Sequence, residues 1–398
     1  MEERSVEVSR LADLYNDEVI GWRRSIHANP ELSGREEETA SFIAQTLAGM
    51  GISPKEKVGG YGVVGLIKGN GQGKCVALRA DFDALPIPEC TGLPFASRNP
   101  GVSHSCGHDM HTAMLLGAAR VLKEMSGSFP GAVKLIFQPS EENAAESGAR
   151  KMIGEGVLLD PEVDAIIGQH VSPLCPSGKI TFRKGAMSSA SDRFFFTVYG
   201  KSSHASKPET GIDAIVVGTE IVSALQTVVS RNVSPLDHSV LTIGIVRAGT
   251  GYNVLAETFE AEGTCRNQNE ETRRTVPERM EKIIKGIAEG MGAGYSFRYV
   301  NGYSPVINAP AMCDLLGRTA SDIIGNENII PMEHASLGGE DFCFYAEKIP
   351  GVFFHLGCQK EGEPFFSLHS GSFSPDESVL KTGVKILASA AIEYLSSN

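Results

Sequence analysis

The stretch SHSCGHDMHTA, residues 103–113, sets a cysteine and three histidines beside an aspartate, in a chain that has only ten histidines in 398 residues. Thiolate, imidazole and carboxylate are the side chains that bind zinc and related divalent ions. A thiolate among nitrogen and oxygen donors argues against magnesium or calcium, which take oxygen ligands. Alone, CGHDMH reads equally well as a turn and a helix start with Asp109 as its cap. A metal site needs partners from elsewhere in the chain.

Such partners exist. Asp81 and Asp83 follow KCVALRA, Glu141 and Glu142 follow AVKLIFQ, His170 ends VDAIIGQH, and His369 lies in FFSLHSGSF. Nearly all stand where an apolar run ends. In a parallel sheet those ends line one edge, where α/β proteins bind ligands, so distant segments can converge there. Singly, each has a plainer reading: a histidine ending a strand is commonly a bonded core residue, and paired glutamates commonly face solvent. Their joint occurrence at strand ends favours a site. The candidate ligands outnumber the four of a tetrahedral zinc, which points to two ions sharing a ligand. Adjacent Glu141 and Glu142 cannot play equivalent parts. One can bind metal while the other takes a proton from a metal-held water.

The elements that must position these residues alternate in type. SVEVSRLADLYNDEVIGWRRSIH and REEETASFIAQTLAGMG have helical spacing, and the second opens with acidic residues and stops at Gly51. GVVGLIKG, KCVALRA, AVKLIFQ and VDAIIGQH are short apolar runs that fit strands buried on both faces, with the helix MHTAMLLGAARVLKEM between two of them. This predicts an α/β domain with a mainly parallel sheet and helices on both faces. From Ala186 to Asn301 the order becomes β-α-β-β-α-β, that of a small ferredoxin-like α+β sandwich. The expected organisation is a first catalytic segment over 1–185, an inserted domain over 186–301, and a second catalytic segment over 302–398.

A formal charge of −12 disfavours a nucleic-acid partner. The N-terminus carries no apolar stretch resembling a secretory signal, and the expectation is no membrane span and a cytoplasmic protein. Eight scattered cysteines do not make a disulfide framework in that compartment.

At the metal-capable residues the chain resembles the amidohydrolase branch of the co-catalytic zinc carboxypeptidase and aminoacylase family. That branch includes hippurate hydrolase, indole-acetyl-amino-acid hydrolases and N-acetyl-diaminopimelate deacetylase. The matching blocks are WRRSIHANPELSGREEETA, LRADFDALPI, HSCGHDMHTAM, FQPSEEN, IIGQHVSP, GKSSHAS, GGEDFCFY and LHSGSF, in family order over nearly the whole chain.

The resemblance implies a metal-dependent hydrolase of the amide bond in N-acyl amino acids, with dipeptides as the alternative substrate and a non-catalytic metal-binding homologue as the third reading. It implies Cys106, His108, Glu142, His170 and His369 as ligands of two divalent ions, zinc or manganese, with nickel and cobalt as further candidates. Glu141 becomes the general base and Asp83 the carboxylate that orients the site. Many relatives carry His-x-Asp where this chain has Asp81-Phe82-Asp83, which leaves the part of Asp81 open. The inserted domain corresponds to a lid that also joins a homodimer. His204 corresponds to a lid histidine that stabilises the oxyanion. Asn253 and Arg266 are candidates to meet the substrate carboxylate, and Gly338 marks a tight turn near substrate. His111 is a candidate supporting residue and His104 a candidate substrate contact, while His27 and Glu340 read as structural.

Overall fold

The computed structural model describes residues 2–397. The chain divides into two compact units. The larger comprises Met1–Met187, Val306–His334 and Asp341–Asn398, and the smaller Ser188–Pro305 with Ala335–Glu340. The insertion thus extends past the expected boundary at Asn301 and takes back a short piece of the later segment. ASLGGE carries no apolar periodicity, so nothing in its pattern reveals that return.

The larger unit begins with helices α1 (Glu2–Leu14), α2 (Asn16–Ala28) and α3 (Glu37–Gly49), then strands β1 (Lys55–Val58), β2 (Gly62–Lys68) and β3 (Cys75–Asp81). It continues through α4 (His108–Glu124), β4 (Ala132–Gln138), α5 (Gly148–Gly154), β5 (Ala165–Pro176), β6 (Ile180–Phe182) and β7 (Gly185–Ala186). The smaller unit holds β8 (Ala190–Tyr199), α6 (Ala214–Thr227), β9 (Ser239–Ala248), β10 (Thr258–Asn267), α7 (Glu270–Gly290) and β11 (Gly294–Tyr303). The larger unit then resumes with β12 (Ile307–Asn308), α8 (Pro310–Ile324), β13 (Ile329–Pro331), α9 (Cys343–Ala346), β14 (Gly351–Gln359) and α10 (Leu380–Ser396).

The main sheet runs β1-β2-β4-β3-β5-β14-β6-β13. Its centre, β4-β3-β5-β14, is parallel, with antiparallel pairs added at β1/β2, β2/β4 and β14/β6. Side chains of one strand alternate between faces. Val76, Leu78 and Ala80 of β3 join Val133, Leu135 and Phe137 of β4 in the main core, on the side covered by α4 and α10. The opposite face receives Arg79, Asp81, Gln138 and His170, which occupy the intervening positions. One face of this sheet is therefore an apolar core, and the other carries buried polar groups toward the strand ends.

The smaller unit has the sheet order β11-β8-β10-β9, antiparallel throughout. With α6 and α7 this is the ferredoxin-like arrangement, around a core that includes Phe194, Phe196, Phe259, Ile221 and Met280. Sequence reading expects no membrane-length apolar stretch. Yet Ala214–Asn232, where α6 continues into a π-helical turn, is long and apolar enough by length and composition. Val217, Ile221 and Leu225 of that helix pack into the unit's core, while Ile215 and Val216 are exposed.

The entry to α4 depends on Gly107. Its φ of +84° lies in the left-handed region, and a Cβ placed there would come 2.5 Å from Val171 Cγ2. Gly107→Ala combines a left-handed penalty with overpacking against β5, an expected loss of about 2–4 kcal/mol. Denaturant unfolding checks this, and a variant as stable as the wild type would contradict it.

Candidate metal centre

The candidate ligands come from a helix start, a post-strand turn, a strand and a loop; His170, read from the sequence as ending its strand, lies mid-way along β5, which runs on to Pro176. Cys106 closes the loop before α4, and His108 is the first residue of that helix. Glu141 and Glu142 follow β4 after a turn in which Ser140 takes a positive φ of 55°. That turn is pinned by buried Glu36, whose Oε1 accepts from Ser140 N at 2.8 Å and Ser140 Oγ at 3.0 Å. His170 lies on β5. His369 also has positive φ, 62°, and its N–H donates to Ser105 O at 2.9 Å, which ties its loop to the cysteine loop.

These residues meet. In each of the sets Cys106–His108–His170, Cys106–Glu142–His369 and His108–Glu141–Glu142, one donor atom per residue lies within 4.8 Å of the others. The first two sets share Cys106. Cys106 Sγ stands 3.4 Å from His170 Nε2, and His369 Nε2 stands 3.2 Å from Glu142 Oε1.

The surroundings leave the right atoms available. His108 Nδ1 bonds Asp83 Oδ1 at 3.2 Å, and its Nε2 is buried with no hydrogen-bond partner. His170 Nδ1 donates to Val171 O at 2.6 Å, which turns Nε2 toward the cysteine. Burial alone would depress His108, but Asp81, Asp83 and Glu142 outweigh it and lift its pKa to about 10. Burial, with Glu142 and Glu141 nearby, pushes the Cys106 thiol well above its ordinary range. Burial, with His111 nearby, instead holds His170 well below its ordinary value. A divalent ion would displace the protons held by Cys106 and His108 and compensate the carboxylates. The sulfur, nitrogen and oxygen donor set fits zinc-like ions.

A further set, Asp81–His108–His111, is also close enough to suggest an ion. His111, however, bonds Asp81 Oδ1 through Nδ1 at 2.6 Å and accepts Val171 N–H on Nε2 at 2.9 Å. Both nitrogens are committed, so His111 offers no lone pair to a cation. Asp81 is likewise held by His111 and by Arg79, at 2.7 Å on Oδ2.

Asp83 gathers two candidate ligands. Besides His108 it accepts from Glu142 N at 3.0 Å and Ser33 Oγ at 2.7 Å. Asp109 is not the helix cap: it is the second residue of α4, whose N-cap is Gly107, and its side chain bonds Arg23 Nε and His27 Nδ1, both at 2.8 Å. His104 is 2% exposed with both ring nitrogens unpartnered, and burial lowers its pKa to about 4.

The candidates His204, Asn253, Arg266 and Gly338 belong to the smaller unit. His204 and Asn253 are brought together, with Ala205 N–H donating to Asn253 O at 3.0 Å. His204 Nδ1 accepts Ser206 N–H at 3.1 Å, so the neutral ring carries its proton on Nε2. Arg266 lies half-buried on β10 and donates to Cys265 O at 3.2 Å. Gly338 accepts Ser189 N–H at 3.2 Å in a separate loop.

A family model, Peptidase family M20/M25/M40, matches residues 77–393. The chain belongs to this family. Among M20 relatives, an N-acyl-L-amino acid amidohydrolase of Geobacillus stearothermophilus is 45% identical over 302 residues, 76% of this chain and 81% of the relative. An N-acetylcysteine deacetylase of Bacillus subtilis is 40% identical, over 96% of this chain and 98% of its own. A solved Bacillus subtilis structure, described as a dinuclear metal binding peptidase from the M20 family, superposes with a TM-score of 0.84 at 36% identity. It covers 96% of this chain and 99% of its own. Membership of this M20 branch agrees with a site built for divalent metal ions.

Sequence reading passed over Glu36, Arg79 and Asp341. Arg79 and Asp81 stand two apart on β3, hence on one face, which was the available signal. Asp341 bonds Arg79 and Gln138 from across the fold, a pairing no local pattern reveals.

His27 gives a pH test. It lies between Asp109 and Glu89, whose Oε1 is 3.2 Å from Nε2. Burial opposes its charge, but the two carboxylates prevail and raise its pKa above 6.5. Burial likewise opposes ionisation of Glu89, but bonds from His27, Thr91 and Ser97 hold it at about 2, below its usual 4.5. The contribution of Glu89 is present above about pH 4.5 and fades toward pH 2. That of His27 is complete below about pH 6.5 and lost as pH rises through its raised value. In thermal melts, His27→Gln should therefore flatten the decline in stability above about pH 6.5. An unchanged pH profile would contradict the assignment.

Proposed function

We propose that this protein is a metal-dependent amidohydrolase that cleaves N-acyl amino acids to a carboxylate and a free amino acid. The observation that carries this is the meeting of Cys106, His108, Glu142, His170 and His369, with Glu141 among them. In this reading those five side chains hold two ions, zinc or manganese. When bound, the ions polarise the amide carbonyl and make a water more acidic.

The remaining work falls to the chain. Glu141 takes a proton from the attacking water as its oxygen bonds the carbonyl carbon. It returns that proton to the amine nitrogen as the C–N bond breaks. Asp83 keeps His108 and the Glu142 segment in place. His204, with its proton fixed on Nε2, is suited to donate to the developing oxyanion. Arg266 and Asn253 are assigned to the substrate carboxylate and Gly338 to the substrate-side turn. A homodimer through the smaller unit and a cytoplasmic location complete the reading.

The test is hydrolysis of N-acetyl, N-benzoyl and N-indole-acetyl amino acids beside dipeptides, before chelation, after it, and after zinc or manganese is restored. Acyl-amino acids should be cleaved, with activity lost on chelation and recovered with metal. A dipeptide preference would move the protein to the peptidase reading, and no cleavage with metal bound would favour a non-catalytic one. Glu141→Gln should lower kcat by about 10²–10⁴-fold with metal content unchanged, and wild-type turnover in that variant would remove Glu141 as base.

A further inference from the structure

Arg79 has no part in the reaction above, yet it sits at the centre of the buried polar network. Its side chain is fully buried on β3. Nε donates to Gln138 Oε1 at 2.9 Å, Nη1 to Asp81 Oδ2 at 2.7 Å, and Nη2 to Asp341 Oδ1 at 2.7 Å. A planar guanidinium can hold three acceptors in fixed directions, which a lysine cannot.

Each carboxylate leads to a different half of the centre. Asp81 bonds His111 Nδ1, and His111 Nε2 accepts the N–H of Val171, the residue after His170. The His111 ring also lies against the rings of both His170 and His108, with centroids 4.4 and 5.3 Å away. On the other side, Asp341 accepts from Ser147 Oγ at 2.7 Å and from Gln138 Nε2, and its own backbone N–H reaches Glu141 Oε1 at 3.4 Å.

We propose that Arg79 is a positioning residue for both halves of the centre. It steadies the metal-binding half through Asp81, His111 and the His170–Val171 stretch of β5, and the base through Asp341 and Glu141. The Asp81–His111 pair, though close enough for an ion, is a strut. The base arm rests on the assignment of Glu141 above, while the metal arm rests only on His170 as a ligand.

The two arms are separable by measurement. Full-length protein, stripped with chelator, is titrated with manganese chloride by calorimetry, and bound metal is counted after dialysis. Turnover is measured on the preferred acyl-amino acid. His111→Phe keeps the ring volume without the bonds, and metal affinity should fall about 10–100-fold. His111→Gln can rebuild one donor and one acceptor, and should restore affinity to within roughly threefold. Asp341→Asn should bind metal within about twofold of wild type. Its kcat should fall roughly tenfold or more, with KM nearly unchanged. Arg79→Met should show both defects, with Arg79→Lys as the substitute if the first does not fold.

His111→Phe with wild-type metal binding, or Asp341→Asn with wild-type kcat, overturns the proposal. A wrong base assignment shows itself separately, as Glu141→Gln that turns over normally while the His111 series still loses metal.

Discussion

Asp83 is the constraint on which the centre depends. Its two oxygens hold the His108 ring, the backbone of Glu142 and the hydroxyl of Ser33, so one carboxylate fixes the start of α4, the turn after β4 and the segment before α3. Burial works against its charge, yet the His108 and Ser33 bonds and the Glu142 amide keep its pKa below the ordinary value. Without it, two candidate ligands would have no common reference.

The sheet permits such a group because its faces are chemically unlike. One is filled by β-branched, leucine and phenylalanine side chains against α4 and α10. The other carries Arg79, Asp81 and Gln138 with almost no access to water, and the half-buried His170. Buried charge is tolerable only where every group is paired or hydrogen-bonded. Arg79, Gln138 and Ser147 meet that condition behind the site, while His108 Nε2 is left open at its front. The apolar face specifies the fold, and the polar face specifies where an ion can sit.

Much of this was legible in the chain. Continuous apolar runs gave the parallel centre of the sheet, because strands buried on both faces need not alternate in hydrophobicity. Glu142, His170 and His369 were visible because each follows such a run, Cys106 and His108 because they cluster just ahead of a helix, and the resemblance joined the five. What could not be read was three-dimensional pairing. The sequence left the part of Asp81 open, and nothing local in it shows the bonds from Arg79 and His111. Asp109 looked like a cap, but Arg23 and His27 claim it from α2. The return of Ala335–Glu340 to the smaller unit left no periodic trace. Most substrate-side candidates stand in loops, where side-chain identity follows ligand shape more than backbone demand, while Arg266 stands on an interior strand, β10.

The interrupted connectivity of the larger unit has a consequence for biosynthesis. β5 pairs in parallel with β14, Ile166 opposite Gly351, and α10 packs on α4. A nascent chain that has delivered β5 can pair it with β3, but must make the whole smaller unit before the second neighbour of that strand, β14, emerges. The smaller unit, by contrast, has all four strands and both helices in one run of residues. It can fold early, while the half-built main sheet waits with an open apolar edge. Non-local pairing is slow, and unpaired edges invite association with other chains. The vulnerable interval in the life of this protein thus falls on the ribosome, between the fifth strand and the fourteenth, where chaperone occupancy would matter most.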